Sequence, residues 1–284
     1  MDAKSHLADL VPLGQTDLDA PNFHDEWLKP LNKEGSTGAL RHKGQKPLGT
    51  GSFSIVYQVE RPESELHAKE SKHKNKVFAA KVITKMHGPK ETWPRDVFTE
   101  RRIEGFAKHE AKVLSKLRHE NVMKCYGAFE NKRAWVLVLQ FAAGGNIDDR
   151  MVNSGRYMLT EEEAIHYTRQ EVAGLAYVHS EDLIHRDIKP GNFFIKNAYD
   201  KSTPFTSDHL LIGDFGFAVE TEIRLEDRTT CGSPIYMAPE VYCKSDFSKA
   251  GDMWGIGYNM NNEMVQNTLE SPRFSEIPPA ALVE

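Results

Sequence analysis

Two short strings hold the residues of this 284-residue chain best suited to chemistry, His185-Arg186-Asp187-Ile188-Lys189-Pro190-Gly191-Asn192 and Asp214-Phe215-Gly216. Each sets a carboxylate in a polar loop. Asp187, Lys189, Asn192 and Asp214 together supply a proton acceptor, a cation suited to phosphate and two oxygen donors for a hard divalent metal. Upstream, Gly49-Thr50-Gly51-Ser52-Phe53-Ser54 forms a glycine turn, and a residue without Cβ lets backbone N–H groups approach anionic oxygens. Lys81 stands alone among strand apolars, and Glu110 falls on the apolar arc of a predicted helix. A buried ammonium and a buried carboxylate are each costly alone, so a single ion pair between them accounts for both.

In this order and spacing, the motifs resemble those of the eukaryotic protein kinase family, serine/threonine type. The resemblance implies ATP and Mg²⁺ as cofactors and protein substrates as partners. In that frame Gly49, Thr50, Gly51, Ser52, Phe53 and Ser54 cover the phosphates, with Ser54 where a third glycine is usual. Lys81 anchors the nucleotide with Glu110 as its helix partner. Val56 and Ala79 cover the base, Phe194 lies beneath it where leucine is more usual, and Leu139 guards the back of the pocket. Gln140, Phe141 and Ala142 form the hinge. Asp187 is the catalytic base, Lys189 neutralises charge on the transferred group, and Asn192 and Asp214 hold the metal.

The segment 229–240 resembles the end of the family's activation segment. Thr229 matches its phosphorylated threonine, which implies an upstream kinase as a further partner, and Ser233 matches the residue that contacts the catalytic base. Arg186 would receive the phosphate, although Glu220 and Phe106 stand where basic helpers are common. Family members that prefer arginine upstream of the phosphosite carry carboxylates at positions matching Asn146, Gly191 and Asn262. None of these is acidic, which leaves Asp148 and Asp149 as substitutes.

The elements that must position these groups are legible from periodicity. Residues 54–59 and 77–83 alternate as strands, and two more strands fall around 123–129 and 134–141. Ile103, Phe106, Val113, Leu114 and Leu117 share one helical arc with Glu110. Thr160 and Glu163 form a capping box that opens a helix to about His179, with Ile165, Val172 and Ala176, flanked by Leu175, on its buried face. The charged run 61–76 reads as a solvated hairpin loop. The expected fold is α+β and bilobal, a protein-kinase-like arrangement with a β-rich N-lobe and a mostly helical, incomplete C-lobe. Residues 1–43 read as a flexible leader, 44–142 as the N-lobe and hinge, and 143–284 as the C-lobe with an irregular tail after about 265.

Composition narrows the function further. The formal net charge of −5 gives no support to nucleic-acid binding, and no stretch is apolar enough to span a bilayer. Three cysteines without metal-ligand spacing fit reduced thiols, so the cytoplasm, or the nucleus, is the expected location. The resemblance covers roughly residues 46–258. Beyond Asp252 the expected all-apolar central helix is interrupted by Asn259 and Glu263, and packing around Trp254 and Ile256 is expected to lack cover. The alternative to an active kinase is a catalytically silent kinase-like fragment that binds nucleotide or a protein partner.

Overall fold

The computed structural model describes residues 11–12, 41–42, 47–51, 54–60, 77–84, 100–130, 134–156, 158–199, 202–221 and 231–264. They belong to two compact units, Met1–Arg118 with Met123–Phe141, and His119–Val122 with Ala142–Glu284. Ser52, Phe53, Thr229, the run 61–76 and the tail after 265 lie outside the described residues.

The first unit is built on an antiparallel sheet. Its described strands are β1 (Val11–Pro12), β2 (Arg41–His42), β3 (Gly49–Thr50), β4 (Ser54–Glu60), β5 (Val77–Thr84), β6 (Cys125–Glu130) and β7 (Ala134–Gln140). They run in the order β1-β6-β7-β5-β4-β2, with β3 also paired to β4. Side chains alternate across a strand, so Phe78, Ala80 and Val82 share one face. There they form a core with Tyr57, Val59, Tyr126, Phe129, Val136 and Val138. The other face of β5 carries Ala79, Lys81 and Ile83, and Lys81 lies opposite Val56 on one side and Leu137 on the other.

Helix α1 (Glu100–Lys116) packs against β6 and β7. Its buried stripe is Ala107, Glu110, Ala111 and Leu114, a spacing of three, one and three, with Leu117 buried just beyond. Phe106 departs from expectation. It stands one residue, about 100° of helix, off that stripe, and is 40% exposed. The side chain of Ile103 lies outside the described residues. The leader also departs at two points, because Val11–Pro12 pairs with β6 and Arg41–His42 with β4. These are the outer strands of the sheet, and the added segments satisfy backbone groups that an open edge leaves unpaired.

The second unit contains α2 (Ile147–Ser154), α3 (Glu161–Ser180), β8 (Leu183–Ile184), β9 (Phe193–Ile195), β10 (Leu210–Ile212), β11 (Val219–Glu220), α4 (Pro239–Lys244) and α5 (Lys249–Met264). Two antiparallel pairs, β9 with β10 and β8 with β11, flank the loops of interest. Thr160 opens α3 as expected: its Oγ1 accepts from Glu163 N at 3.3 Å, and Glu163 Oε2 accepts from Thr160 N at 2.8 Å.

The buried face of α3 is Ala164, Tyr167, Glu171, Gly174, Leu175 and Val178, one residue out of phase with the expected face. Ile165 is 40% exposed, and Ala176 also faces solvent. A polar anchor accounts for the rotation. Tyr167 donates its hydroxyl to Asp208 Oδ2 at 2.6 Å, and the same carboxylate oxygen accepts from Arg150 Nε at 2.9 Å. The guanidinium of Arg150 lies over the rings of Tyr199 and Phe205. With Tyr167 drawn inward, Glu171 follows it one helical turn later. On α5, Ile256 is buried, against expectation, whereas Trp254 is about half-exposed and Asn259 is fully buried.

Candidate active site

Tertiary contacts bring Lys81 and Glu110 together within the first unit. Lys81 Nζ donates to both carboxylate oxygens of Glu110, at 2.7 and 2.8 Å. Glu110 is 2% exposed, so the pair fixes the ammonium at the edge of an apolar face. Because β4 and β5 pair with Val56 opposite Lys81, and Ala79 precedes Lys81 by two, these three residues share one face of the sheet. Leu139, opposite Ala79, extends that face. The glycine turn enters β4 as a hairpin, with Gly49 opposite Val56 and Gly51 N donating to Ser54 O at 2.8 Å. Gln140 closes β7, its N–H bound to Lys124 O.

In the second unit a compact loop gathers the catalytic candidates. Asp187 Oδ2 accepts from Lys189 Nζ at 2.8 Å and from Asn192 Nδ2 at 3.0 Å. Its Oδ1 accepts from Ser233 N at 2.9 Å, and Lys189 Nζ also donates to Ser233 Oγ at 2.8 Å. Ser233 thus meets Asp187 through its backbone and Lys189 through its hydroxyl. This requires residues 231–233 to approach the loop closely. At Gly232, φ is +97° and a Cβ would collide with the carbonyl oxygen of Arg186, so only glycine fits.

Asn192 spends Nδ2 on Asp187, donating also to its backbone oxygen at 2.7 Å, which leaves Oδ1 as the atom suited to a hard cation. Gly213 N donates to Asn192 O at 2.9 Å, tying this loop to the one that carries Asp214. Asp214 itself has a left-handed backbone with φ +60° and an exposed side chain. An amide oxygen and a carboxylate on joined loops are donors of the type Mg²⁺ accepts through water and phosphate oxygens. Among the described residues no group of three or more His, Cys, Asp and Glu could form a protein-only cage.

The frame behind these groups was not anticipated in full. Asp252, at the start of α5, accepts from His185 N at 2.8 Å and from Arg186 N at 2.9 Å, and its Oδ2 lies 2.9 Å from His179 Nε2. The sequence placed Asp252 on the central helix but did not join it to the loop 67 residues earlier. The ring of His185 is edge-on to Phe215 at 4.8 Å and bridges to Gly213 O. Arg186, a candidate phosphate receptor, donates Nε to Phe217 O at 2.6 Å and stacks its guanidinium 4.9 Å from Phe247. Phe194 pairs with Leu211 and is bridged to Asn146.

Comparison with known proteins agrees with this geometry. The protein kinase domain family matches residues 42–273. This chain belongs to the protein kinase family. The match extends beyond the stretch, roughly 46–258, over which the motifs were legible. The chain is 31% identical to calcium/calmodulin-dependent protein kinase type 1 of Caenorhabditis briggsae over 233 residues, covering 81% of this chain and 56% of that protein. It is 31% identical to serine/threonine-protein kinase PLK2 of Mus musculus over 222 residues, 78% of this chain and 28% of that one. A similar match to myosin light chain kinase A of Dictyostelium discoideum covers 75% of this chain and 62% of the relative. The chain thus spans about half the length of the first of these relatives. Among the described residues no helix is long and apolar enough to cross a membrane.

Proposed function

We propose that this kinase-family chain transfers the γ-phosphate of ATP to serine or threonine hydroxyls of protein substrates. The observation that carries the reading is the closed network of Asp187, Lys189, Asn192 and Ser233, in which Asp187 is 5% exposed and both of its oxygens are held. Asp187 orients the acceptor hydroxyl and takes its proton as the acceptor oxygen bonds to the γ-phosphorus. The bond from that phosphorus to the β,γ-bridging oxygen breaks, and ADP leaves. Lys189, already bound to Asp187 and Ser233, brings positive charge to the transferred group. Lys189 and Ser233, joined at 2.8 Å, match the residues of serine/threonine-specific members of the family, which supports serine or threonine acceptors.

Lys81, held by Glu110, anchors nucleotide phosphates, and the turn 49–54 covers them. Val56, Ala79, Gln140, Ala142 and Phe194 are assigned to the base. Asn192 and Asp214 would hold Mg²⁺, which would supply positive charge to the phosphate oxygens. Thr229 is the proposed site of an upstream kinase, with Arg186 its receptor. The intact Lys81–Glu110 pair and the satisfied loop network favour catalysis over a silent interaction module.

The test is phosphate transfer from labelled ATP to a generic protein substrate, comparing the chain with Asp187→Asn. The substitution should lower turnover by roughly a hundredfold or more. Equal rates in the two proteins would refute the assignment.

A further inference from the structure

Helices α3 and α5 meet at two polar rungs, and the first of them also holds the catalytic loop. There His179 Nε2 lies 2.9 Å from Asp252 Oδ2, and Asp252 accepts from His185 N and Arg186 N. At the second rung Glu171 adjoins the side-chain amide of Asn259. Glu171 stands eight residues before His179, and Asn259 seven after Asp252, so about two helical turns separate the rungs on each helix. Glu171 and Asn259 are both buried, and among the described residues no other group offers a well-aligned hydrogen bond to either carboxylate oxygen or to either polar atom of the amide. A protonated carboxyl and an amide each carry a donor and an acceptor, so they can satisfy one another. An ionised carboxylate has no donor and strands Asn259 Oδ1.

We propose that Glu171 and Asn259 are positioning residues for the catalytic loop: as a neutral acid–amide pair they fix α5 against α3, and α5 in turn sets Asp252 against the N–H groups of His185 and Arg186. The proposal rests on the kinase reading and adds a control on it. A packed interior transmits displacement, so a shift of α5 at Asn259 is carried about 10 Å along the helix to Asp252. Arg186 adjoins Asp187, and its φ of +69° persists only while its surroundings compensate. Loss of the proton from Glu171 leaves a buried charge and an unpartnered amide oxygen at one place, and both disfavour the packed pair. Burial raises the pKa of Glu171 to about 8, with the Asn259 amide opposing. The pair is therefore intact at neutral pH and lost as pH rises through about 8. The charged groups around α3 are engaged elsewhere. His179 and Asp252 face each other, Asp208 holds Tyr167 and Arg150, Lys249 reaches Asp182, and His119 stacks on Tyr177. Strands β8 and β10 bring only leucine and isoleucine, and the turn 205–207 carries no charge. The side chain of Glu263 lies outside the described residues.

The test is the kinetics of the full chain on a generic protein substrate from about pH 6.5 to about pH 9, beside amide exchange of the stretch 183–188 in the same buffers. Native kcat should fall about tenfold between about pH 7 and about pH 9, while KM for ATP stays level because Lys81 and Glu110 belong to the other unit. Glu171→Gln keeps a donor and an acceptor at every pH and should remove that fall. Asn259→Leu leaves the acid without its partner and should lower kcat about fivefold already at neutral pH. Intrinsic exchange rates cancel when two proteins are compared at one pH. The amides of His185 and Arg186 should then exchange about tenfold faster in the native chain than in Glu171→Gln at about pH 9, and equally at about pH 6.5. An alkaline fall of the same size in Glu171→Gln overturns the proposal. So does a fall that follows global unfolding by circular dichroism, which would make the pair a support of the fold alone. If no protein turns over, the kinase reading falls and exchange alone decides. Glu171-dependent exchange at His185 and Arg186 then sustains the inference, and equal exchange overturns it.

Discussion

Glu171 departs from the ordinary chemistry of a glutamate. It is 1% exposed on α3, and neither carboxylate oxygen finds a hydrogen-bond partner of good geometry. Burial pushes its pKa from an ordinary 4.5 up to about 8, and the nearby amide of Asn259, itself unsatisfied, only partly offsets this. A folded-state pKa raised above the unfolded one means that the folded chain holds its proton more tightly. The contribution is fully present below about pH 4.5 and is lost as pH rises through 8. The loss amounts to a few kcal/mol in order of magnitude. Melting measured from pH 5 to 9 should therefore fall more steeply for the native chain than for Glu171→Gln, with the two diverging most at the alkaline end. Parallel curves would show that Glu171 reaches water or another partner. By contrast, Cys125 is pushed up to about 12 by burial and should resist alkylation in the folded chain.

At the scale of elements, α5 governs the catalytic loop through one carboxylate. Asp252 is 3% exposed and binds two successive backbone N–H groups, those of His185 and Arg186. Arg186 has a φ of +69°, a conformation that a non-glycine residue holds only when its surroundings compensate. Replacing Asp252 with alanine orphans both donors and should destabilise the chain by about 3 kcal/mol. Turnover should fall more than nucleotide affinity, since Lys81 and Glu110 belong to the other unit. Denaturant unfolding and kinetics on the same variant check both halves, and an unchanged turnover would show that the loop holds its shape without this anchor.

At the scale of the molecule, nucleotide binding should appear as stabilisation. Mg·ATP at a hundred times its Kd should add about 2.7 kcal/mol of stability, seen as a rise in Tm. Lys81→Met takes one bidentate ammonium contact from the buried Glu110, a change that costs roughly 3 kcal/mol by itself. The comparison must therefore be made within each protein, and the rise in Tm on adding Mg·ATP should shrink in the variant. A rise of the same size would place the phosphates away from Lys81. Ile235, Tyr242, Met253 and Trp254 are large apolar side chains exposed along the second unit, and such surface promotes association. Sedimentation should show mass rising with concentration, and Trp254→Lys should reduce it.

The sequence by itself determined which residues could do chemistry, the strand pattern of the first unit and the start of α3. Each of these is written within a few residues: a carboxylate beside a lysine and an asparagine, a two-residue alternation, a threonine three residues ahead of a glutamate. Even the pair of Lys81 and Glu110 was legible, because two isolated charges among apolar neighbours demand one another. Only the tertiary structure decided which face each helix buries. A shift of one residue turns a helix by about 100°, and the hydroxyl bond from Tyr167 to Asp208, 41 positions away, set the phase that buried Glu171 and exposed Ile165. A spacing of 164, 167, 171, 174, 175 and 178 was available in the sequence, but a polar residue on an apolar stripe carries no mark of its own burial. The link from Asp252 to the catalytic loop and the meeting of Glu171 with Asn259 were likewise invisible along the chain. Both depend on where distant backbones pack, and no local pattern encodes that distance.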